Sequence, residues 1–363
     1  MWLRANCDLF VLLLKLTCQM TDPELIEQPI YYGRPVMKPT VGTWIRHLLL
    51  LGLTFCTATI AGTLFPVGEG NYLPEDDPQS FYELLHLLAT LPTRYAAMIV
   101  EIVGKLFTHT STLIYGLEFS ISLLFILICH EMGHYIACRI YRVDATLPFF
   151  LPTPPMIGPA GTFGAFIKIL SPMPTRRAVF DIGVAGPIAG FIALLPVALV
   201  AYSTLTFGTL SDIQAGNISP ITFAEPLLFK SLNWIYGINT ALPIEHNPFY
   251  FAAWVGLLMT ALNLIPSGQL DGGHAIYAVF GEKVHKWTGR IAFPVMAVLS
   301  ILGLYFYGSP SGFLVAIILA IMMRIRHPAP FDQTPLDTKR KVIAVLTLII
   351  FMLCFVPFPI QIN

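Results

Sequence analysis

Charge is scarce in this sequence. Of 363 residues only 12% are charged, while 55% are hydrophobic. A soluble domain of average composition carries about twice that charged fraction. Acidic and basic residues balance at 21 each, so no net positive charge draws the chain to nucleic acid. The cysteines Cys7, Cys18, Cys56, Cys129, Cys138 and Cys354 form no CxxC pair, and most sit in apolar runs. They read as buried free thiols, which excludes a disulfide scaffold and a cysteine-based zinc site. No internal repeat and no low-complexity tract is visible, and no loop is long enough for an appended soluble domain.

What the chain does have is long apolar runs. Convincing spans cover residues 47–67, 116–141, 182–202, 250–265, 291–307, 313–323 and 342–356. Basic residues cluster beside alternate ends. Arg34, Lys38 and Arg46 precede the first span, Arg139, Arg142, Lys168, Arg176 and Arg177 lie between the second and third, and Lys283, Lys286 and Arg290 follow the fourth. Glu69, Glu75, Asp76 and Asp77 follow the first span. The positive-inside rule then predicts about seven spans, a cytoplasmic N-terminus and a C-terminus outside, in a multi-pass protein of the cell (inner or plasma) membrane. Residues 80–112 mix charges with apolar residues and are expected to form amphipathic helices at the outer surface. Phe10 to Leu14 is too short to span, and Met20 is a candidate true start that would make residues 1–19 an artefact. The expected organisation is a cytoplasmic segment over 1–46 and one membrane-embedded domain over 47–358.

The strongest chemical signal is His130-Glu131-Met132-Gly133-His134. Residues four apart share a helix face, so both imidazoles can reach one metal ion, and Glu131 beside them can take a proton from the attacking water. The motif interrupts an apolar helix, where ionisable residues are costly and point to function. The alternative is a polar cluster bonding helix to helix.

A catalytic zinc needs a further protein ligand and an open position. Asp271 is the candidate, in Asn263-Leu-Ile-Pro-Ser-Gly-Gln-Leu-Asp-Gly-Gly-His274. Pro266, Gly268, Gly272 and Gly273 should unwind the fourth span there, which the membrane tolerates where backbone lines a polar cavity. Charge-derived topology puts His130 and Asp271 on the same side at similar depth. A turn aspartate before Gly-Gly is the alternative. His274 is a rival ligand, ranked below Asp271. Asn263 could steady a substrate carbonyl or oxyanion, or make an interhelical hydrogen bond. Asp181 is a core contact near the site, or an acid in the first turn of a helix.

Together these motifs resemble the site-2 protease family of intramembrane zinc metalloproteases (peptidase M50), in particular bacterial members and their plastid relatives. The match covers roughly residues 116–290. It includes Gly158-Pro-Ala-Gly-Thr-Phe-Gly-Ala-Phe-Ile167 and Phe180-Asp-Ile-Gly-Val-Ala-Gly-Pro-Ile-Ala-Gly190. The resemblance implies an all-α polytopic fold with a three-helix core holding one Zn2+ through His130, His134 and Asp271, and Glu131 as catalytic base. The implied substrates are single-span membrane proteins cut within the bilayer. Gly161 and Gly164 would lie in a glycine-rich re-entrant loop facing substrate by strand addition, or else in a tight cytoplasmic turn. Neither a PDZ domain nor a CBS pair is expected. Two other classes compete: a metal transporter, which should show repeated halves or paired broken helices, and a non-catalytic membrane scaffold, which would not need Glu131.

Overall fold

The computed structural model describes residues 38–64, 80–155, 158, 160–207, 221–238, 244, 247–325 and 327–362. Cys7, Cys18, Met20 and the acidic residues Glu69, Glu75, Asp76 and Asp77 lie outside them.

Helices dominate. The order is α1 (Val41–Gly62), α2 (Phe81–Thr108), α3 (Thr110–Ile140), β1 (Phe149–Pro152), β2 (Thr162–Phe166), α4 (Arg176–Ser203), β3 (Ile221–Phe223), α5 (Leu227–Tyr236), α6 (Pro248–Asn263), α7 (Asp271–Phe280), α8 (Glu282–Tyr307), α9 (Ser311–Met322), α10 (Thr338–Cys354) and β4 (Ile360–Ile362). Among these, α1, α2, α3, α4 and α8 are long and apolar enough to cross a membrane. Large apolar side chains stand exposed along them, including Leu48 and Leu49 on α1, Ile121 and Phe125 on α3 and Ile301 on α8. Water would penalise such continuous apolar faces, and lipid does not.

The mostly helical membrane fold is as expected, with two short strand pairs added: β1 pairs antiparallel with β2, and β3 with β4. Two expectations change. Residues 81–108 form one helix rather than several surface segments. That helix packs chiefly through Met98, Ile102 and Leu106, beside Ile60 and Leu64, and Tyr95 donates its hydroxyl to the Pro155 oxygen at 3.0 Å. Cys138 and Cys354 are buried, but Cys56 is exposed.

Two apolar clusters set the depth of the site. One joins Leu123, Leu127, Leu194, Val197, Trp254 and Leu257 from α3, α4 and α6. The other joins Ala137, Cys138, Val179, Phe180, Tyr277 and Ala278 from α3, α4 and α7. Helices α3 and α4 run through both. The α6–α7 strand of chain enters the first cluster as one helix and the second as another, with its break between them. The polar residues of α3 sit at that same level.

Arg340, at the start of α10, is 1% exposed. Its Nε and Nη2 donate to Asp181 at 2.9 and 2.6 Å, and its Nη1 donates to Asp337 at 2.8 Å. Tyr141 donates its hydroxyl to Asp181 as well. Asp181 therefore lies in the second turn of α4, not the first, and binds the last helix to the α3–α4 pair. Arg340→Met should strand a buried carboxylate and cost about 3–5 kcal/mol. Thermal unfolding of the purified protein reads this, and pairing the change with Asp181→Leu should recover most of the loss.

Candidate metal centre

His130 and His134 lie one turn apart on α3, buried with Glu131. Their Nε2 atoms are 3.2 Å apart. Asp271 Oδ2 is 3.3 Å from each of them. Three donors from two separated stretches of chain thus form a nearly equilateral triangle, a set able to hold a metal ion. His134 Nδ1 lies 2.7 Å from the Ile182 carbonyl oxygen. The imidazole donates Nδ1–H there, which leaves the Nε2 lone pair facing the triangle.

Local sequence explains how Asp271 arrives. Helix α6 ends at Asn263, and Leu264 begins a tight loop in which Ser267 N–H donates to Ile265 and Leu270 N–H to Ser267. Gly268 takes φ +55°, a left-handed conformation that a side chain would strain. A Cβ at Gly272 would overlap the Leu264 carbonyl, and one at Gly273 would lie 2.5 Å from the Gly268 oxygen. The paired glycines therefore let α7 begin directly against the loop. Asp271 stands in its first turn, where a carboxylate is favoured by the helix dipole.

Helix α4 supplies the floor. A Cβ at Gly186 would overlap the His134 ring, and one at Gly190 would meet His130 at 3.1 Å. From the other side, a Cβ at Gly133 would lie 2.5 Å from the Ala185 oxygen. Small residues on both helices let the backbones close around the imidazoles. Sequence reasoning quoted Gly186 and Gly190 without giving them a role. Their spacing of four matches that of the histidines and was the available signal.

Glu131 Oε1 stands 4.0 Å from His130 Nε2, outside the triangle but beside it. The backbone of Ile167, the residue after β2, approaches its carboxylate. The β1–β2 hairpin thereby reaches the site. Gly161 and Gly164 both take positive φ, at 68° and 95°. Helix α1 grips the hairpin at two points: Thr57 Oγ1 donates to the Gly161 oxygen at 2.8 Å, and His47 Nδ1 lies 2.8 Å from the Pro148 oxygen. Thr57→Val removes a bond of about 1 kcal/mol. We expect a loss of stability of about that size with metal content unchanged, read by thermal unfolding and metal assays.

Asn263 joins the site, its Nδ2 3.2 Å from His130 Nε2. His274 does not join the triangle. Its Nδ1 lies 2.6 Å from His327 Nε2, and its Cβ packs on Gly183 of α4. Burial and the neighbouring His274 and His285 push the His327 imidazole down to about 3. Its Nδ1–H donates to the Pro328 oxygen at 2.8 Å, so its Nε2 accepts from His274. His327, read from sequence as part of a plain connector, is the hydrogen-bond partner of His274.

A helical membrane protein with a buried two-histidine, one-carboxylate centre and an adjacent glutamate is the class that fold and site define. Residues 118–306, more than half of the chain, match the family model described as Peptidase family M50. The chain belongs to that family. It is 30% identical over 248 residues to the probable zinc metalloprotease EGY1, chloroplastic, of Arabidopsis thaliana, covering 67% of this chain and 43% of the relative. Identity to the rice protein of the same name is 28% over 238 residues, covering 63% and 38%. To the probable zinc metalloprotease EGY2, chloroplastic, of Arabidopsis thaliana it is 27% over 235 residues, covering 63% and 40%. The chain thus spans about two fifths of the length of the curated relatives it matches.

Proposed function

We propose that this chain is an intramembrane zinc metalloprotease that hydrolyses peptide bonds in or near the spans of membrane proteins. The observation that carries the reading is the donor triangle. Zinc bonded at about 2.0–2.2 Å to tetrahedral ligands holds them about 3.3 Å or slightly more apart. The spacings here are 3.2, 3.3 and 3.3 Å. Two imidazoles and one carboxylate are also a donor set of catalytic zinc, with a position left open. One Zn2+ per chain fits His130, His134 and Asp271, and the relatives' names support the same metal.

When bound, zinc supplies a Lewis acid and brings water to a pKa near about 7. Glu131 takes the proton of the attacking water at its carboxylate and returns it to the leaving amine. The backbone of Ile167 lies beside that carboxylate. The Asn263 amide steadies the substrate carbonyl or its oxyanion. Strand β2 is paired on one side only among the described residues. Its free edge, with Gly164 keeping the backbone approachable while Gly161 lies against Thr57 of α1, offers a place for an unwound substrate segment to add as a strand. The natural substrates on this reading are single-span membrane proteins.

The same reading places one metalloprotease domain over 47–358, behind a cytoplasmic segment. We count seven spans: α1, α3, α4, α6 with α7, α8, α9 and α10. The hairpin is then re-entrant and α2 lies outside the count. The alternation of basic ends supports a cytoplasmic N-terminus and an outside C-terminus in an inner or plasma membrane. The chloroplastic names of the relatives bear on which membrane, not on that orientation.

The test is cleavage of a panel of single-span membrane peptides in proteoliposomes. Wild type should cut at least one of them, and His134→Ala should cut none. Zinc flux across the vesicle wall without cleavage would establish transport instead.

A further inference from the structure

A second cavity lies beside the metal centre, and it is basic. It has a volume of about 500 Å3 and is lined by Gly268, His285, Lys286, Arg290, Arg324 and His327, with Glu282 at its rim. It sits where α8 begins and α9 ends, so the first turns of α8 and the last turn of α9 line it.

The charges in the wall are not balanced from within. Glu282 pairs with Lys286, four residues on along α8, at 2.5 Å. Neither Arg290 nor Arg324 has a carboxylate partner among the described residues. Arg290 instead lies over the Trp287 ring, 5.7 Å from its centroid. An aromatic ring with a cation on its face is an arrangement suited to the membrane interface. The two histidines add no free donors: His285 Nε2 lies 2.9 Å from the Gly268 oxygen, and both ring nitrogens of His327 are engaged. The wall carries the Arg290 and Arg324 side chains, and guanidinium groups match the oxygens of phosphate in a planar, two-pronged geometry.

We propose that this cavity binds a phosphate-bearing anionic group. The chemistry fits the headgroup of an anionic phospholipid or a soluble phosphate compound, because both present the same oxygens. Basic pockets between membrane helices commonly take lipid headgroups. The consequence for the metal centre is structural. Gly268 belongs both to the cavity wall and to the loop that delivers Asp271, and His285 ties that loop to α8. Gly289, also in the wall, packs on Ser267, so a Cβ there would come within 3.4 Å of the Ser267 hydroxyl. A headgroup bound here joins the α8–α9 hairpin to the loop that carries a metal ligand. The binding itself does not depend on the chain being a protease.

The test uses the purified full-length chain in neutral detergent and native mass spectrometry. Phosphatidylglycerol, phosphatidylcholine and pyrophosphate are the probes. Wild type should retain phosphatidylglycerol in preference to phosphatidylcholine. Arg290→Gln with Arg324→Gln should weaken that retention about 25-fold. Both arginines are exposed, and unchanged zinc content and thermal unfolding would show that the double variant is folded. Displacement by pyrophosphate would assign the site to soluble phosphates, and lipid retention without displacement would assign it to the bilayer. Lys283→Gln with Lys341→Gln removes the same charge outside the cavity and should leave binding unchanged. An equal loss in that control, or no preference for either anionic probe, would overturn the proposal.

Discussion

Glu131→Gln should lower peptide cleavage by about 10²–10⁴-fold while leaving bound zinc at one per chain. The side chain keeps its size, and the amide can still occupy the space beside Ile167. What it loses is the ability to accept a proton. Glu131 also stands outside the donor triangle, 4.0 Å from His130 Nε2, so the metal does not require it. Turnover of a single-span peptide in proteoliposomes, with zinc measured in the same samples, separates the two effects. A variant that loses zinc along with activity would make Glu131 a ligand rather than a base. A variant that cleaves as well as wild type would remove it from the reaction.

Gly186→Ala should weaken zinc binding by about 10–100-fold. One methyl group added to an apolar helix is ordinarily mild, and alanine favours helix over glycine. Here the methyl would occupy the position of the His134 imidazole. The ring must rotate or α4 must retreat, and either move breaks the Nδ1–H bond to Ile182 and misdirects Nε2. Displacing such an orienting contact costs about 10–100-fold in metal affinity. The contrast is Gly256→Ala, also in a packed apolar helix, whose nearest neighbours are the Leu194 and Ile126 side chains at 3.0 and 3.1 Å. Those side chains can shift, so its zinc content should match wild type. Isothermal titration of zinc into the chelator-stripped proteins compares all three. Wild-type affinity in Gly186→Ala would contradict the packing described for α3 and α4.

The donor set was legible in the sequence because its geometry is local at two points. Four-residue spacing fixes His130 and His134 on one face of α3 whatever surrounds them. Gly272-Gly273 after Pro266 and Gly268 marks a break in an apolar run, and Asp271 sits at that break. What was not legible depends on approach between distant segments. Thr57 meets Gly161 across 104 residues and Arg340 meets Asp181 across 159, and neither partner carries a local pattern that names the other. The β3–β4 pair is missed for the same reason, since each strand is only three residues long. The extent of helix α2 was missed differently: its charges at Glu83, Arg94, Glu101 and Lys105 suggested several amphipathic helices, yet residues 81–108 run as one.

The central claim is that His130, His134 and Asp271 together hold zinc. X-ray absorption at the zinc edge of the purified full-length chain tests it most directly. The account predicts one zinc per chain, a first shell of nitrogen and oxygen only at about 2.0–2.2 Å, and the scattering pattern of two imidazoles. Asp271→Ala should shorten that shell by one oxygen donor and weaken retention of the metal. A sulfur scatterer at about 2.3 Å, a third imidazole in place of the carboxylate, or a purified chain that binds no zinc would contradict it.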